Sequence, residues 1–191
     1  DWMQQELQAE IEGIWSALPA DLEDLDREIY LFDPASQGCV YDNEAAQDPS
    51  QWEAYTSYGA LVQGEAVCEG YARAMQQLLS YAGMRCRLVH GTAGGESHMW
   101  NLVEVDGQWY HLDPTWNDQK SLLRYDYFNL DDEAISQDHQ IGREITGMSE
   151  EELEEYMESS DSNYNFPLPS CESDDANYLK NKGILLSNFS E

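Results

Sequence analysis

The sequence predicts an α+β domain in which helices precede an antiparallel β-sheet. Apolar residues recur at helical spacing near the start of the chain and again after Cys68. From Met84 the pattern changes to short strand-like segments, and two of these flank Asp106-Gly107, a dipeptide typical of tight β-hairpins. The 191 residues show no internal repeat and no clear boundary, so we expect one domain over residues 1–191.

Three helices are predicted in the first half of the chain. The first ends at Pro19, the second is capped by Asp21, and the third runs from Cys68 to Gly83. Their apolar stripes comprise Met3, Leu7, Ile11, Ile14, Trp15 and Leu18; then Leu22, Leu25 and Ile29; then Tyr71, Met75, Leu78, Leu79 and Ala82. Residues 33–57 are rich in Asp, Pro, Ser and Gln, and they are interpreted as a loop with a short turn.

The second half is predicted to contain three strands and little else that is regular. The strands cover 84–90, 98–105 and 108–113. The remaining predictions are a partly helical segment over 123–135, an acidic helix with a capping box over 149–158, and short strands at Tyr178 and 184–186.

The charge of the chain is strongly negative throughout. Nine basic and 38 acidic residues give a net charge of −29, with 4 basic and 21 acidic residues before position 119 and 5 and 17 after it. Phosphate contacts need clustered Lys and Arg, so the charge argues against nucleic acid and anionic membranes as partners. No apolar run is long enough to span a bilayer.

The Asp106-Gly107 turn sets the register of the hairpin and brings two polar residues together. If the turn has two residues, Val105 lies opposite Gln108 and Trp100 lies opposite Asp113. His98 and Asp113 then share one face as diagonal neighbours, within reach of a hydrogen bond, while Asn101 lies on the other face. A bulge in the turn would separate the pair.

A histidine held by a carboxylate is two thirds of a nucleophilic triad, and Cys68 is the candidate nucleophile. The start of a helix favours a thiolate and offers backbone N–H groups to an oxyanion. A buried core position, a disulfide and a metal site with His98, His111 and Asp113 are the alternatives for Cys68. A disulfide among Cys39, Cys86 and Cys171 also remains open, since the four cysteines form no CxxC motif.

At these residues the chain resembles a known family. The segments VCEGYA and HMWNLVEVDGQWYHLDPTWND, within residues 58–118, closely resemble the transglutaminase-like domains of bacterial extracytoplasmic proteins. The stretches LEDLDREIYLFDPASQGCVYD and FNLDDEAISQDH resemble the segments that precede and follow the core of those domains. The resemblance covers most of residues 20–140, and residues 141–191 form a C-terminal extension packed on or beside this core.

The resemblance implies a papain-like fold, in which a cysteine on a central helix packs against an antiparallel sheet. It implies that Cys68 is the nucleophile, His98 the general base and acid, and Asp113 the residue that orients His98. Tyr58 or Gln63 would support the oxyanion. Trp100 and Trp116 would wall the cleft or pack under it.

The expected activity is acyl transfer on protein amides through a thioester, with crosslinking, deamidation and peptide hydrolysis as its outcomes. A non-catalytic extracellular or cell-surface module is the alternative, and an amidase for cell-wall peptides differs only in substrate. We expect a monomer that acts outside the cytoplasm on a protein or peptide, lysine-rich or cell-wall associated. No cofactor and no metal are expected.

Overall fold

The computed structural model describes residues 2–119, 122–123, 125–142 and 168–182. Within these residues lie the helices α1 (Trp2–Ser16), α2 (Asp24–Gln37), α3 (Cys68–Tyr81), α4 (Pro114–Asn117), α5 (Asp132–Ile135) and α6 (Tyr178–Asn181). The strands are β1 (Val40–Tyr41), β2 (Glu65–Ala66), β3 (Cys86–Ala93), β4 (Glu96–Val105), β5 (Gln108–Leu112), β6 (Asp118–Gln119), β7 (Leu122–Leu123), β8 (Phe128–Leu130) and β9 (His139–Ile141).

Five of the strands form one antiparallel sheet, in the order β8-β5-β4-β3-β9. The main core lies between this sheet and helices α1, α2 and α3, and it includes Phe32, Leu79, Val103 and Phe128. This arrangement is the predicted α+β architecture. No helix among the described residues is long and apolar enough to cross a membrane.

Helix α3 is held in the core by its apolar stripe. Tyr71, Met75, Leu78 and Leu79 are each at most 1% exposed, and burying each such side chain contributes about 1.5–3 kcal/mol. Gly83, with a φ of +77°, follows the helix and allows the chain to turn, as predicted.

The β4-β5 hairpin has the predicted register. Asp106 and Gly107 both have positive φ, +50° and +79°, which is the geometry of a two-residue type I′ turn. Val105 therefore pairs with Gln108. Since β4 and β5 pair without a register shift from Val105–Gln108 to Asn101–Leu112, the side chains of His98 and Asp113 fall on the same face.

The second helix differs from the prediction at both ends. Asp21 does not cap it, because α2 begins at Asp24, after Glu23 in the N-cap position without a side-chain cap. The helix also continues through Pro34 to Gln37, so the loop predicted from residue 33 was wrong there. A proline costs a helix one backbone hydrogen bond, but the full burial of neighbouring Phe32 and Ala35 keeps the helix intact.

Three other segments also depart from the prediction. Residues 40–41 form strand β1, which pairs in parallel with β2 inside the predicted loop. In the segment predicted as partly helical over 123–135, α5 is the one helix among the described residues, and 128–130 form strand β8. Tyr178 lies in α6 rather than in a strand. The predicted helix over 149–158 and strand over 184–186 lie outside the described residues.

The described part of the C-terminal extension, residues 168–182, contacts the core. The backbone N–H of Cys171 donates to Asp132 Oδ2 at 3.0 Å, and Asp132 N donates to the carbonyl of Cys171 at 2.8 Å. Tyr178 stacks on Tyr125 with ring centroids 3.5 Å apart. The description of the whole chain as one domain stays a prediction.

Candidate active site

His98 and Asp113 form the predicted hydrogen bond. His98 lies in β4 and Asp113 directly after β5, and His98 Nε2 lies 2.7 Å from Asp113 Oδ2. The pair is almost removed from solvent, since His98 is 8% exposed and Asp113 is fully buried. Asn101, on the other face of β4, instead donates to the carbonyl of Ala72 in α3 at 2.9 Å and ties the sheet to that helix.

Asp113 is held in place by the start of helix α4. Its Oδ1 accepts hydrogen bonds from the backbone N–H groups of Thr115 and Trp116, each at 3.0 Å. A carboxylate at this position satisfies donors that a helix start leaves free, and Pro114 suits the first helical position. The sequence Asp-Pro-Thr-Trp therefore fixes the carboxylate before any contact with a histidine is made.

The electrostatics of the pair favour an ion pair. Burial alone would raise the pKa of Asp113, but the charge of His98 and the hydrogen bonds from His139, His98 and the Trp116 N–H lower it to about 2. Burial alone would lower the pKa of His98. The charge and hydrogen bond of Asp113, followed by the hydrogen bond and charge of Cys68, raise it to about 10. At neutral pH His98 is therefore an imidazolium beside a carboxylate.

Cys68 is the first residue of α3. Val67 precedes it in extended conformation and supplies no side-chain cap, so the N–H groups of the first turn have no partner inside the helix. Cys68 hydrogen-bonds with His98, and both residues line one cavity of about 230 Å³. A thiol, an imidazolium and free backbone donors at one cavity are the groups that attack on a carbonyl carbon requires.

Gly70 lets the start of α3 approach its neighbours closely. A Cβ on Gly70 would lie 2.5 Å from the carbonyl oxygen of Ala54 and 2.7 Å from the Cβ of Ala66. The glycine of the Cys-Glu-Gly-Tyr-Ala motif is therefore required by packing, and it fixes where the first turn and Cys68 lie.

The two tryptophans lie beside His98. Trp100 is fully buried and stacks on the His98 ring with centroids 6.0 Å apart, so it packs under the site. Its Nε1–H donates to His111 Nδ1 at 3.0 Å. The Trp116 ring lies 6.1 Å from the His98 ring. Neither tryptophan lines the cavity that Cys68 and His98 share.

The structure does not bring the two candidate oxyanion residues to this cavity. The Tyr58 hydroxyl donates to Glu6 Oε2 on α1 at 2.8 Å, and Gln63 Nε2 donates to Glu53 Oε2 at 2.7 Å. Gln63 lines a separate cavity with Glu53, and Tyr58 lines neither. The structure therefore gives no support to their assignment. Both side chains are turned away by carboxylates.

Tyr41 and Tyr55 line the Cys68 cavity instead. The Tyr55 hydroxyl donates to the carbonyl of Ala45 at 2.7 Å. Burial, and after it the charge of Cys68, raises the pKa of each phenol. Sequence reasoning missed both tyrosines because they lie in the segment that was interpreted as a loop, and no periodic pattern places them.

His139 also belongs to the site and was missed. Its Nε2 lies 2.7 Å from Asp113 Oδ2, the same oxygen that binds His98. The one available signal was its place at the end of the stretch FNLDDEAISQDH, which was noted only for its resemblance. Strand β9, which carries His139, is too short to be predicted from alternation.

Two clusters among the described residues have the composition of metal ligands, but each is already hydrogen-bonded internally. The first is His98, Asp113 and His139, whose ligand atoms are joined by the two 2.7 Å contacts. The second is His111, Asp132 and Cys171. Trp100 can only donate to His111 Nδ1, so the proton of the neutral ring lies on Nε2 and faces Asp132 Oδ1 at 2.8 Å. A metal ion would have to displace these protons.

None of the four cysteines, all of which lie in the described residues, forms a disulfide. Cys39 and Cys171 are buried in apolar clusters. Burial raises the pKa of the Cys86 thiol and of the Cys171 thiol well above the ordinary range. None of these three thiols lines the cavity that Cys68 and His98 share.

A cysteine at the start of a buried helix, facing a histidine on an antiparallel sheet, is the arrangement of the papain-like α+β class. Residues 18–114 match the family model of the transglutaminase-like superfamily, and the chain belongs to that superfamily. The predicted resemblance and fold are confirmed.

Individual relatives agree with this assignment. The chain is 31% identical over 88 residues to kyphoscoliosis peptidase of Mus musculus and 30% identical over 88 residues to that of Homo sapiens. Each match covers 40% of this chain but only 13% of the relative. A crystal structure of a TGase matches with a TM-score of 0.52 and 17% identity, over 63% of this chain and 33% of that one, and shows a shared fold.

Proposed function

We propose that the protein is a cysteine-dependent acyltransferase or hydrolase that acts on protein or peptide amides. The observation that carries the proposal is the juxtaposition of Cys68 with a buried His98–Asp113 ion pair at one cavity. The names of two similar proteins, a peptidase and a TGase, both fit chemistry at an amide carbonyl. Membership in a superfamily that is generally enzymatic supports the catalytic function over the binding module.

The proposed reaction has two steps. The Cys68 thiolate attacks the amide carbonyl carbon, the Cys68 N–H stabilises the oxyanion, and His98 gives its proton to the nitrogen as the C–N bond breaks. A thioester and a free amine result. Water or a second amine then attacks the thioester, His98 takes its proton, and cleavage of the C–S bond restores the thiolate.

The identity of the attacking group decides between hydrolysis and crosslinking. Water gives a carboxylate, and a primary amine gives a new amide. The charge of −29 supports a lysine-rich acceptor, since a strongly negative protein attracts cationic chains. A monomer that acts outside the cytoplasm, as in the bacterial proteins that the sequence resembles, completes the proposal.

The proposal is tested with a glutamine-rich protein and a fluorescent primary amine. Incorporation of label that is lost in Cys68→Ala supports transfer. Release of ammonia or of new peptide ends, without incorporation, supports hydrolysis. Cys171→Ala is the matched control, because it removes a thiol that is 1% exposed and does not line the cavity of Cys68 and His98. Absence of every product from the wild-type protein would favour the non-catalytic module.

A further inference from the structure

We propose that His139 is a positioning residue that shares Asp113 with His98 and limits how tightly Asp113 holds the His98 proton. The inference rests on the proposed function for its role in the reaction, but its structural content is independent of any substrate. Nothing in the Cys68, His98 and Asp113 arrangement requires a second histidine.

All four acceptor positions of Asp113 are occupied. Oδ1 accepts from two backbone N–H groups, and Oδ2 lies 2.7 Å from both His98 Nε2 and His139 Nε2. A carboxylate offers about four lone-pair sites, so the two imidazoles compete for the electron density of one oxygen. Each donor weakens the hold of that oxygen on the other.

His139 is itself held rigidly. Its Nδ1 lies 2.6 Å from Asp138 Oδ1, and Asp138 Oδ2 accepts from the Tyr127 hydroxyl at 2.5 Å. The ring is enclosed by Trp100 and Trp116, whose centroids lie 5.1 and 4.7 Å away, and its side chain is fully buried. Strand pairing of His139 with Ala93 fixes its backbone as well.

Both nitrogens of His139 face carboxylate oxygens, Asp113 on one side and Asp138 on the other. The His139 ring also lies 5.5 Å from the His98 ring, so the two imidazoles meet around one oxygen of Asp113. The ionisable groups around the two rings are Asp113, Asp138, Tyr127, His111 and Cys68.

The consequence concerns the general acid. Asp113 raises the pKa of His98 to about 10, and an acid that holds its proton so firmly is slow to give it to a leaving amine. By sharing Oδ2, His139 makes the proton of His98 easier to release. Removal of His139 should therefore slow proton donation while leaving the thiolate–imidazolium pair intact.

Two amide variants separate the contacts of His139. In His139→Gln the amide nitrogen takes the place of Nε2 and still donates to Asp113. In His139→Asn the amide nitrogen takes the place of Nδ1 and donates to Asp138, so Asp113 loses the donor that residue 139 supplied. The pKa of His98 is read from its imidazole resonances, which is practical because the chain has only four histidines.

We expect His139→Asn to raise the titration midpoint of His98 by about one pH unit, a tenfold change in proton affinity. His139→Gln should raise it by less than half as much. His111→Gln, a change in an equally buried histidine that binds Asp132 instead, should leave it unchanged. Equal midpoints in wild type and His139→Asn, or a larger shift in His139→Gln than in His139→Asn, would overturn the proposal.

A kinetic comparison distinguishes positioning from a general loss of structure. At pH 7, His139→Asn should lower the rate of amide turnover about tenfold and leave the alkylation rate of Cys68 within about twofold of wild type. A merely structural histidine would lower both rates. If wild type turns over no amide, the proposed function fails, while the titration still decides the role of His139.

The wild-type protein provides a measurement that needs no folded variant at position 139. Two imidazole Nε2–H resonances, from His98 and His139, should appear far downfield and exchange slowly with water, because both bind the same buried oxygen. Both should be lost in Asp113→Asn. A single such resonance would contradict the shared contact.

Discussion

Replacing Asp113 by Asn should change how the stability of the protein depends on pH. Asn keeps the shape of the side chain and an oxygen for the N–H groups of Thr115 and Trp116, so helix α4 retains its start. What the variant loses is the negative charge at Oδ2. The two largest factors that raise the pKa of His98, the charge and the hydrogen bond of Asp113, are then gone, while the burial that lowers it remains.

The size of the effect follows from the shift of His98. Its folded-state pKa of about 10 lies above its ordinary 6.5, so the stabilisation is fully present below pH 6.5 and is lost as the pH rises towards 10. Each pH unit in this window is worth about 1.4 kcal/mol. The free energy of unfolding of the wild type should therefore fall, relative to the variant, by about 3 kcal/mol between pH 7 and pH 9.

Below about pH 4, stability changes with pH in the opposite direction, because Asp113 is the group that titrates. The pKa of Asp113 is lowered from 3.8 to about 2, so its contribution is present above pH 3.8 and is lost as the pH falls towards 2. The full advantage of the wild type over the variant should thus span about pH 4 to 6.5.

Urea denaturation followed by tryptophan fluorescence at pH 6, 7, 8 and 9 measures these differences. Groups that titrate equally in both proteins cancel in the comparison. Asp132→Asn is the matched control, since Asp132 pairs with a different buried histidine, His111. A stability difference between wild type and Asp113→Asn that stays constant from pH 7 to pH 9 would refute the account of the ion pair.

Three further changes have expected outcomes. Burial raises the pKa of Glu28 to about 8, so the folded protein favours the neutral acid and becomes less stable as the pH rises from 4.5 to 8. Glu28→Gln should remove this contribution to the pH dependence of the free energy of unfolding, measured by urea denaturation between pH 5 and pH 8. Leu79→Ala, at a fully buried position of α3, should lower the free energy of unfolding by about 2–5 kcal/mol in the same assay. Gly70→Ala should push the first turn of α3 away from Ala54. Alkylation of Cys68 should then be at least about threefold slower than in Gly83→Asn, a control at the other end of the helix. Equal alkylation rates in the two variants would contradict the packing argument.

The parts of the fold that could be predicted depend on local rules. The stripe from Tyr71 to Leu79 predicts a buried helix because its spacing matches 3.6 residues per turn. The Asp106-Gly107 turn predicts the register because few other residues adopt positive φ at both positions. From that register and the alternation of side chains along a strand, the contact of His98 with Asp113 follows without any knowledge of the rest of the chain.

The parts that failed depend on tertiary packing. Pro34 predicts a helix end, yet the burial of Phe32 and Ala35 outweighs its cost. Strands β1, β8 and β9 have two or three residues each, too few for an alternating pattern. Their partners lie far away in the sequence, and so the positions of Tyr41 and His139 became visible only in the structure.

The candidate oxyanion residues show the same limit. Tyr58 and Gln63 were named because the family resemblance implies a polar side chain ahead of Cys68 in the sequence. In the structure Glu6 and Glu53 bind their polar ends. Position in the sequence did not predict which way these side chains point, because that direction is set by the hydrogen-bond partner. The partner of Tyr58, Glu6, lies on helix α1, far from Tyr58 in the sequence.

The central claim is that His98 keeps Cys68 in a reactive thiolate–imidazolium pair, and the pH dependence of Cys68 alkylation tests it most directly. Iodoacetamide is added from pH 5 to pH 9 to wild type and His98→Ala, and labelling at Cys68 is followed by mass spectrometry. Reaction at pH 6 should be at least about tenfold faster in the wild type than in the variant. Equal rates in the two proteins across this range would contradict the claim.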